Sequence, residues 1–331
     1  MRAGIAGIGR RSALLALGGA ALAARAAGGA GEARAETART GRAIVGFPPG
    51  GTIDSVTRLY AERLRASGAM QLVVDNRPGA GGRMALELLK PLPADGSAFI
   101  VTPASMLTIY PHLYTRTLRY DPLRDFTPVS PLCVFPFGLA VAKQHPARTL
   151  AEFVAWAKPS PSVDWASPVP GSMPHFIGTE LARLAGLSLN HIPYRGSAPA
   201  ASDLLSGTLQ AVILPLGDLT SFHRSGDVRL LAVSSPERRP GLEVPTFAEA
   251  GFPALTHEEW YGALLPAGAP APVVAALHGA IVAAVPEVTA ALARIDLQPQ
   301  PMAPEAFRQR IARETETWGP IVAASGFRPD E

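Results

Sequence analysis

The sequence predicts an α/β protein of two lobes, each lobe a mostly parallel sheet flanked by helices, with a ligand cleft between the lobes. Short apolar runs alternate with segments of helical periodicity over residues 42–141, and the same alternation starts again over residues 142–234. Residues 235–331 add one more strand and then mainly helices, which suggests that the chain returns to the first lobe. Two crossings between lobes are typical of a hinged clamp that closes over a ligand.

Residues 1–35 are typical of an export signal and not of the fold. Arg10 and Arg11 precede an apolar run that reaches about residue 24, and Ala33-Arg34-Ala35 fits a cleavage site of small residues. The apolar run is interrupted by glycines and is shorter than the roughly 20 residues that a membrane-spanning helix needs. We therefore expect a twin-arginine or general secretory signal, cleavage near Ala35, and a mature protein in the periplasm.

Composition and charge indicate a globular protein without an electrostatic case for binding nucleic acid. The chain has 331 residues, of which 47% are hydrophobic and 17% charged, and a formal net charge of +3. Residues 1–35 carry five arginines and one glutamate, a net of +4, so the chain without them has a net of −1. A nucleic-acid partner would require a clustered basic face. Cys133, the single cysteine, lies in an apolar run and is expected to be buried.

The segment from Phe47 to Asp54 is the first candidate ligand-binding element. Here a strand ends in Phe47-Pro48-Pro49-Gly50-Gly51, and helical periodicity begins directly afterwards. The two glycines allow the main chain to approach a ligand closely, and Thr52 is a candidate N-cap. Because the N–H groups of a helix start carry partial positive charge, a small carboxylate would suit this loop. The alternative is a strand-to-helix turn without a ligand, in which Asp54 is only a favourable charge at the helix start.

The rest of the first lobe follows the same alternation. Strands are expected over residues 71–75 and 98–102, with a helix over 83–90 between them. Ligands of parallel sheets bind beyond the carboxyl ends of the strands, so Ser105 is expected to lie near the two glycines of the first loop. A loop over residues 121–126 and a strand over 137–142 come next.

The second lobe and the C-terminal part are predicted by capping signals and by periodicity. Thr149 and Glu152 form a capping box that starts a helix through about residue 157. The other strands expected in the second lobe cover residues 163–167, 189–194, 209–214 and 228–234. The other helices expected there are one over residues 172–185, one that follows Pro199 and ends near residue 207, and one over residues 218–224. The C-terminal part is expected to contain a strand over 260–265 and helices over 272–285, 286–295 and 304–325, each with a proline at or near its start.

Two side chains of the second lobe are candidates for the cleft. His175 follows Gly171-Ser172-Met173-Pro174 at a helix start, and Tyr194 ends a strand next to Arg195-Gly196-Ser197. The alternatives are a His175 side chain that is hydrogen-bonded to nearby backbone and a Tyr194 side chain that packs between the lobes.

No local motif of catalysis or metal binding is found in the sequence. The seven histidines are scattered without the spacing of a local metal site, and no serine has the flanking glycines of a nucleophile elbow. The glycines after Pro49 lack the neighbours that define nucleotide-binding loops. We therefore expect no metal, no cofactor and no enzymatic activity. The enzymatic alternative is an exported hydrolase or isomerase whose site is assembled from distant residues, for example His175 and Asp54.

Six segments, in order along the chain, carry a resemblance to one family. They are Phe47 to Gly51 with Asp54, residues 76–82, residues 120–126, residues 193–200, residues 245–251, and Trp260-Tyr261-Gly262 followed by Pro266-Ala267-Gly268. Together they resemble the Bug-type periplasmic solute receptors of tripartite tricarboxylate transporters. The resemblance implies a type II-like periplasmic binding fold and a small carboxylate held by main-chain N–H groups and bridging waters. It also implies a membrane permease as partner, or alternatively a sensor kinase; a monomer and no nucleic-acid partner are expected.

The resemblance also implies a set of ligand-binding residues. They are Phe47, Pro49, Gly50, Gly51, Thr52, Asp54, Ser105, Ser167, Gly171, Ser172, His175, Tyr194, Arg195, Gly196 and Ser197. Two stretches depart from the family pattern. Ser167-Pro168-Val169-Pro170 replaces a glycine-rich segment, and Leu214-Pro215-Leu216-Gly217 replaces an Asp-Asn pair. Both departures remove polar groups, so they indicate a less polar monocarboxylate as ligand.

Overall fold

The computed structural model describes residues 40–68 and 70–329, so the predicted export signal lies outside the described residues. Ten strands in this part of the chain form one sheet in the order β2-β1-β3-β9-β4-β7-β5-β6, with β8 and β10 also paired to β4. The strands are β1 (Thr40–Val45), β2 (Gln71–Asn76), β3 (Ala98–Pro103), β4 (Phe126–Ala142), β5 (Val163–Ser167), β6 (Leu189–Pro193), β7 (Ala211–Pro215), β8 (Val228–Val233), β9 (Glu258–Pro266) and β10 (Gln298–Pro299).

Helices flank this sheet. They are α1 (Thr52–Ala66), α2 (Arg83–Leu89), α3 (Ser105–Thr108), α4 (Tyr110–Leu113), α5 (Leu150–Ala157), α6 (Met173–Ala185), α7 (Ser197–Leu205), α8 (Thr220–Ser225), α9 (Ala271–Ala293) and α10 (Pro304–Ser325). Short 3-10 turns lie at Ala80–Gly82, Leu216–Asp218 and Pro253–Leu255. The predicted capping box is confirmed, because the N–H of Glu152 donates to Thr149 Oγ1 at 3.1 Å.

Strand β4 joins two halves of the sheet. Its first part pairs antiparallel with β9 and β10, and its last part pairs antiparallel with β7 and β8. The first half holds β1, β2 and β3, with β1 parallel to both neighbours, and the second half holds β5, β6 and β7, with β5 parallel to both neighbours. The sheet is therefore mixed, with the predicted parallel strands in each half and antiparallel strands where the halves meet. The predicted lobe boundaries at residues 142 and 235 stay predictions.

Strand β4 begins earlier than predicted, at Phe126 and not near residue 137. The added part of the strand contains Pro128, Pro131 and Pro136, and proline is unusual inside a strand because it cannot donate to a sheet ladder. The strand accommodates two of them by shifting its register against β9 between Pro128 and Ser130 and again between Pro131 and Cys133. Cys133 is buried there, as expected.

Helix α9 is one helix where two were predicted, with Pro286 inside it. The proline leaves the carbonyl of Val282 without its helical donor. Because Val282 and Pro286 both lie on the exposed face, water can bind that carbonyl. By length and composition this helix could cross a membrane. Its other face, however, is buried in the core, where Leu277 and Ile281 are at most 5% exposed.

Candidate functional site

A cleft with about 600 Å³ of empty space, counted to its mouth, lies between the two halves of the sheet. Its walls are formed by loops at the carboxyl ends of β1, β3, β5, β6 and β7 and by the start of β9, as expected for a sheet of this class. The first half contributes Phe47, Pro48, Gly51, Thr52, Ile53, Pro103, Ser105, Met106, Glu259 and Tyr261, and the second half contributes Phe137, Pro168, Val169, Ser172, Pro174, Gly196, Ser197, Ala198, Pro199, Pro215 and Asp218.

Asp54 fixes the shape of the first loop and does not line the cleft. Its carboxylate accepts hydrogen bonds from Gly50 N at 3.1 Å, Arg58 Nε at 2.9 Å and Asn76 Nδ2 at 3.0 Å. Burial alone would raise the pKa of Asp54, but the hydrogen bonds from Arg58, Asn76 and Gly50 outweigh it and hold the pKa below its ordinary value. The carboxylate therefore stays ionised and holds the glycine loop in place.

The anion at the start of α1 is supplied by the other half of the protein. The prediction of Thr52 as N-cap is wrong, because Gly51 is the N-cap and Thr52 is the first helical residue. The N–H of Thr52 donates to Asp218 Oδ1 at 2.7 Å, and the Thr52 hydroxyl donates to the same oxygen. An aspartate carboxylate thus already occupies part of the helix N-terminus that was predicted to bind a ligand anion.

Ser105 connects a second carboxylate to the opposite wall of the cleft. Its N–H and its hydroxyl donate to Glu259 Oε1 at 2.7 and 2.5 Å. The same hydroxyl accepts a hydrogen bond of 3.0 Å from the N–H of Met173, the first residue of α6. This chain of bonds and the Thr52–Asp218 pair both cross the cleft and hold the two halves together.

The cleft is acidic and shielded from water. Thr52, Ser105, Ser172, Glu259 and Tyr261 are each at most 5% exposed. Burial raises the pKa of Glu259 to about 7, against the hydrogen bonds from Ser105 and with a small contribution from the charge of Glu314. Burial also raises the pKa of Asp218, against the lowering effects of the Ser197 and Thr52 side chains and the Thr52 N–H, and its Oδ2 has no hydrogen-bond partner of acceptable geometry among the described residues.

No cation balances these two acids inside the cleft. The residues that line it in the described part of the chain include no lysine, arginine or histidine. Within residues 40–68 and 70–329, no group of three or more His, Cys, Asp or Glu side chains is placed to hold a metal ion. The site can therefore offer hydrogen-bond acceptors, negative charge and the N–H groups of helix starts.

His175 lies behind the cleft wall. The N–H of Gly171 donates to His175 Nδ1 at 3.1 Å, and the imidazole packs against Trp165, His191 and Phe327. Burial, with a smaller effect from His191, lowers the pKa of His175 to about 3, so the ring is neutral near pH 7. The structure thus shows the backbone-bonded arrangement that was the alternative for this residue.

The predicted site residues fall into two groups. Seven of them line the cleft: Phe47, Gly51, Thr52, Ser105, Ser172, Gly196 and Ser197. His175, Tyr194 and Arg195 instead line an adjoining depression beyond Phe47 and Val169, where the Tyr194 hydroxyl donates to Asp203. The remaining five do not line the cleft. Pro49 and Gly50 are exposed at the loop, and Asp54 accepts the hydrogen bonds that hold this loop. The N–H of Gly171 donates to His175, and the buried Ser167 hydroxyl donates to the Val169 carbonyl at 3.1 Å.

Three residues of the cleft were not predicted from the sequence: Asp218, Glu259 and Tyr261. Asp218 follows the end of β7, and that position at the carboxyl end of a strand was an available signal. Glu259 stands at the start of β9 directly before Trp260-Tyr261-Gly262, and an acid inside a buried strand is uncommon enough to be examined.

Comparisons with known proteins agree on one family. The sequence model described as "Tripartite tricarboxylate transporter family receptor" matches residues 56–327. Protein BugT of Bordetella pertussis is 33% identical over 296 residues, which cover 88% of this chain and 90% of BugT.

Two solved structures are similar to this chain over nearly their whole length. Rpa4515 of R. palustris, solved with adipate, has a TM-score of 0.85 at 30% identity and covers 89% of this chain and 100% of its own. The periplasmic binding protein BugD has a TM-score of 0.83 at 27% identity and covers 88% of this chain and 99% of its own. These similarities confirm the predicted fold class, a two-lobed α/β periplasmic binding protein.

Proposed function

Because the chain belongs to the receptors of the tripartite tricarboxylate transporter family, we propose that it is a periplasmic receptor that closes over a small organic acid and delivers it to a membrane permease. The observation that carries this proposal is the enclosed cleft on which three helix starts converge. Helices α1, α6 and α7 begin at Thr52, Met173 and Ser197, and all three starts are at the cleft. The starts of α1 and α7 present N–H groups without partners, whereas at the start of α6 the N–H of Met173 is bonded to Ser105 and Pro174 has no N–H.

One carboxylate of the ligand has a place at these helix starts. The N–H groups of Ile53, Ser197 and Ala198 have no acceptor within their own helices, because they belong to the first turns of α1 and α7. Partial positive charge at a helix N-terminus stabilises an anion by about 0.3–1 kcal/mol. The adipate in Rpa4515 supports an organic acid as the class of ligand.

The body of the ligand is expected to be apolar. Phe47, Phe137, Pro168, Val169 and Pro215 line the cleft with apolar surface. Pro168 and Pro215 belong to the two stretches in which the sequence departs from the family pattern. A monocarboxylate with a hydrocarbon part therefore suits the walls better than a tricarboxylate does.

Receptor function without turnover is proposed, because the groups of the enzymatic alternative are otherwise engaged. Asp54 is held by Gly50, Arg58 and Asn76, and His175 is buried among aromatic rings. Neither side chain lines the cleft. We expect the wild type to show no turnover of its ligand. We expect His175→Ala to change the affinity for the ligand, again without turnover.

A ligand screen tests the proposal. The sample is the protein without residues 1–35, from which any bound ligand has been removed. It is titrated calorimetrically with mono-, di- and tricarboxylic acids and with amino acids. We expect at least one of them to bind and to raise the unfolding temperature, because a ligand that binds only the native state stabilises it. A well-folded protein that binds none of them contradicts receptor function.

The location and the partner need separate experiments. Export is tested by replacing Arg10 and Arg11 with lysine, which should retain the precursor in the cytoplasm if the signal is of the twin-arginine type. Delivery to a permease is tested by deleting the receptor gene and measuring uptake of the ligand found in the screen. Unchanged uptake together with a lost transcriptional response would favour the sensor-kinase alternative.

A further inference from the structure

We propose that the ligand of this cleft carries a protonated amine in addition to its carboxylate, and that Asp218 and Glu259 bind the amine. This inference rests on the receptor function proposed above and narrows its ligand to small amino acids with separate cationic and anionic ends. Four observations lead to it: an unpartnered oxygen on each of the two acids, their shared wall, the lack of a cation in the cleft, and unpartnered N–H groups at its edge.

Asp218 presents a buried oxygen without a donor. Thr52 occupies its Oδ1, whereas its Oδ2 is buried and has no hydrogen-bond partner of acceptable geometry in the described residues. The Ser197 hydroxyl lies close enough to the carboxylate to lower its pKa, but it makes no well-formed hydrogen bond to Oδ2. The preceding residue, Gly217, packs closely against the chain after α9, because a Cβ on Gly217 would lie 2.5 Å from the carbonyl oxygen of Ile295. A buried acceptor that keeps its position without a donor is unfavourable until a ligand supplies the donor.

Glu259 lies on the other half. Ser105 supplies two donors to Oε1, and no hydrogen bond from the described residues reaches Oε2; the residue is 4% exposed, but Oε2, unlike Asp218 Oδ2, is not a fully buried atom without a partner. Tyr261, two residues further along β9, lines the cleft together with both acids, and burial first, then their negative charges, raise the pKa of its hydroxyl. Asp218 and Glu259 therefore face a common wall of the cleft.

The charge of the cleft selects against a second carboxylate on the ligand. Two desolvated acids without a neighbouring cation are stabilised by a positive guest and destabilised by a negative one. The cations of this region lie outside, in the adjoining depression, where Arg83, Arg195 and Arg328 contribute to the lining. A dicarboxylate would bring one of its charges towards Asp218 or Glu259, whichever way it entered.

The rest of the cleft accommodates the other parts of such a ligand. The unpartnered N–H groups of Ile53, Ser197 and Ala198 can take its carboxylate, and Phe47, Phe137 and Pro168 can cover its hydrocarbon spacer. An ammonium group has three donors, two of which can bond to the oxygens left free on the two acids.

Three compounds of equal chain length separate the possibilities: 6-aminohexanoate, hexanoate and adipate, with the four-carbon series as a second set. Calorimetric titration at about pH 7 is expected to show that the amino acid binds about tenfold more tightly than either other member of its series. Asp218→Asn and Glu259→Gln should each lower the affinity for the amino acid and thereby remove most of that preference. Glu258→Gln, at the next position of β9 and outside the cleft lining, is the control and should keep the preference.

The results that would overturn the inference differ from those that would overturn the receptor function. If adipate or succinate binds best, and Glu259→Gln binds it more tightly than the wild type does, Asp218 and Glu259 act as protonated donors to a dicarboxylate. The amine inference is then wrong, but the receptor function stands. If none of the compounds and no other acid of the screen binds, both proposals fail. Asp218→Asn keeps an acceptor for Thr52, so it is expected to fold. Titrations of this variant and of the wild type with the same compounds therefore test the amine inference even if Glu259→Gln is unstable.

Discussion

Glu259 is a carboxyl group that burial holds partly in its neutral form. Its side chain is 4% exposed, and its pKa of about 7 lies above the ordinary 4.5 because burial outweighs the two hydrogen bonds from Ser105. Between these two values the folded protein retains a proton that the unfolded chain has lost. The stability contributed by this proton is therefore fully present below about pH 4.5 and is lost as the pH rises through about 7.

Glu259→Gln is accordingly expected to flatten the pH dependence of folding. Relative to this variant, the wild type should lose on the order of 3 kcal/mol of unfolding free energy between about pH 5 and pH 8. Denaturant titrations over that range measure the difference. Glu62→Gln, on the exposed side of α1, is the control and should run parallel to the wild type. Parallel curves for Glu259→Gln as well would show that Glu259 ionises as an exposed glutamate does.

The pKa of Asp54 is shifted downwards, so its contribution to stability depends on pH in the opposite direction. Its pKa is lowered by Arg58, Asn76 and Gly50 in spite of burial, so its contribution is present above the ordinary value of 3.8 and is lost as the pH falls through the folded value. We expect Asp54→Asn to cost about 1 kcal/mol at neutral pH, a modest figure because Arg58 is half exposed. The difference between the variant and the wild type should shrink below about pH 4, as measured by urea unfolding.

At the scale of single residues, sequence reasoning identified backbone positions of the cleft better than its charged groups. Gly51 and Ser105 could be predicted because each follows the end of a strand, and strand ends meet at one edge of a parallel sheet. Ser172 and Ser197 were predicted through the resemblance to a family. Asp218 escaped prediction because the burial of its carboxylate depends on contact with Thr52, 166 positions away in the chain. His175 has the sequence context of a cleft residue, but aromatic packing holds its ring behind the wall.

Helix α6 is limited by a glycine in left-handed conformation at each end, and the two glycines differ in their surroundings. Gly171 has φ +75°, and a Cβ there would lie 2.6 Å from Leu113 Cδ1. Gly186, the C-cap, has φ +65° with open space around it. A Cβ in this conformation costs about 1–2 kcal/mol in itself.

The pair therefore separates conformational strain from steric conflict. Gly186→Ala should lower the unfolding free energy by about 1 kcal/mol, whereas Gly171→Ala should lower it by about 3 kcal/mol or more, because Leu113 must also move. Gly171→Ala should in addition weaken ligand binding, since the turn before Ser172 shifts. Thermal unfolding and calorimetric titration of both variants test this, and equal losses of stability would rule out the conflict with Leu113.

At the scale of elements, the order and type of most helices and strands could be predicted from periodicity and caps. The failures occurred at prolines. Pro286 on an exposed helix face was interpreted as a helix start, and Pro128, Pro131 and Pro136 concealed the first part of β4. In each case tertiary surroundings decide the outcome, either solvent at a freed carbonyl or a register shift against β9, and neither can be seen in local sequence.

For the whole molecule, the structure shows the two halves linked across the cleft by the protein's own groups. Thr52 bonds to Asp218, and Met173 bonds to Ser105, which in turn holds Glu259. A receptor of this kind responds to ligand by a shift between open and closed populations. Hydrogen bonds that exist only in the closed form bias that equilibrium before any ligand binds.

Asp218→Ala should consequently shift the ligand-free protein towards an open form. It removes the acceptor of two hydrogen bonds from Thr52, and hydrogen bonds to a charged group contribute about 1.5–3 kcal/mol, enough to change the open fraction by roughly tenfold or more. Solution scattering should then show a larger radius of gyration, and hydrogen exchange should be faster in peptides that contain Thr52 and Ser105. Asp218→Asn keeps an acceptor and should remain close to the wild type, and Asp227→Ala, an exposed site in the same half, should match it. Identical scattering and exchange for Asp218→Ala and the wild type would mean that other contacts hold the cleft closed, among them the bond from Thr220 in α8 to Asp296 after α9.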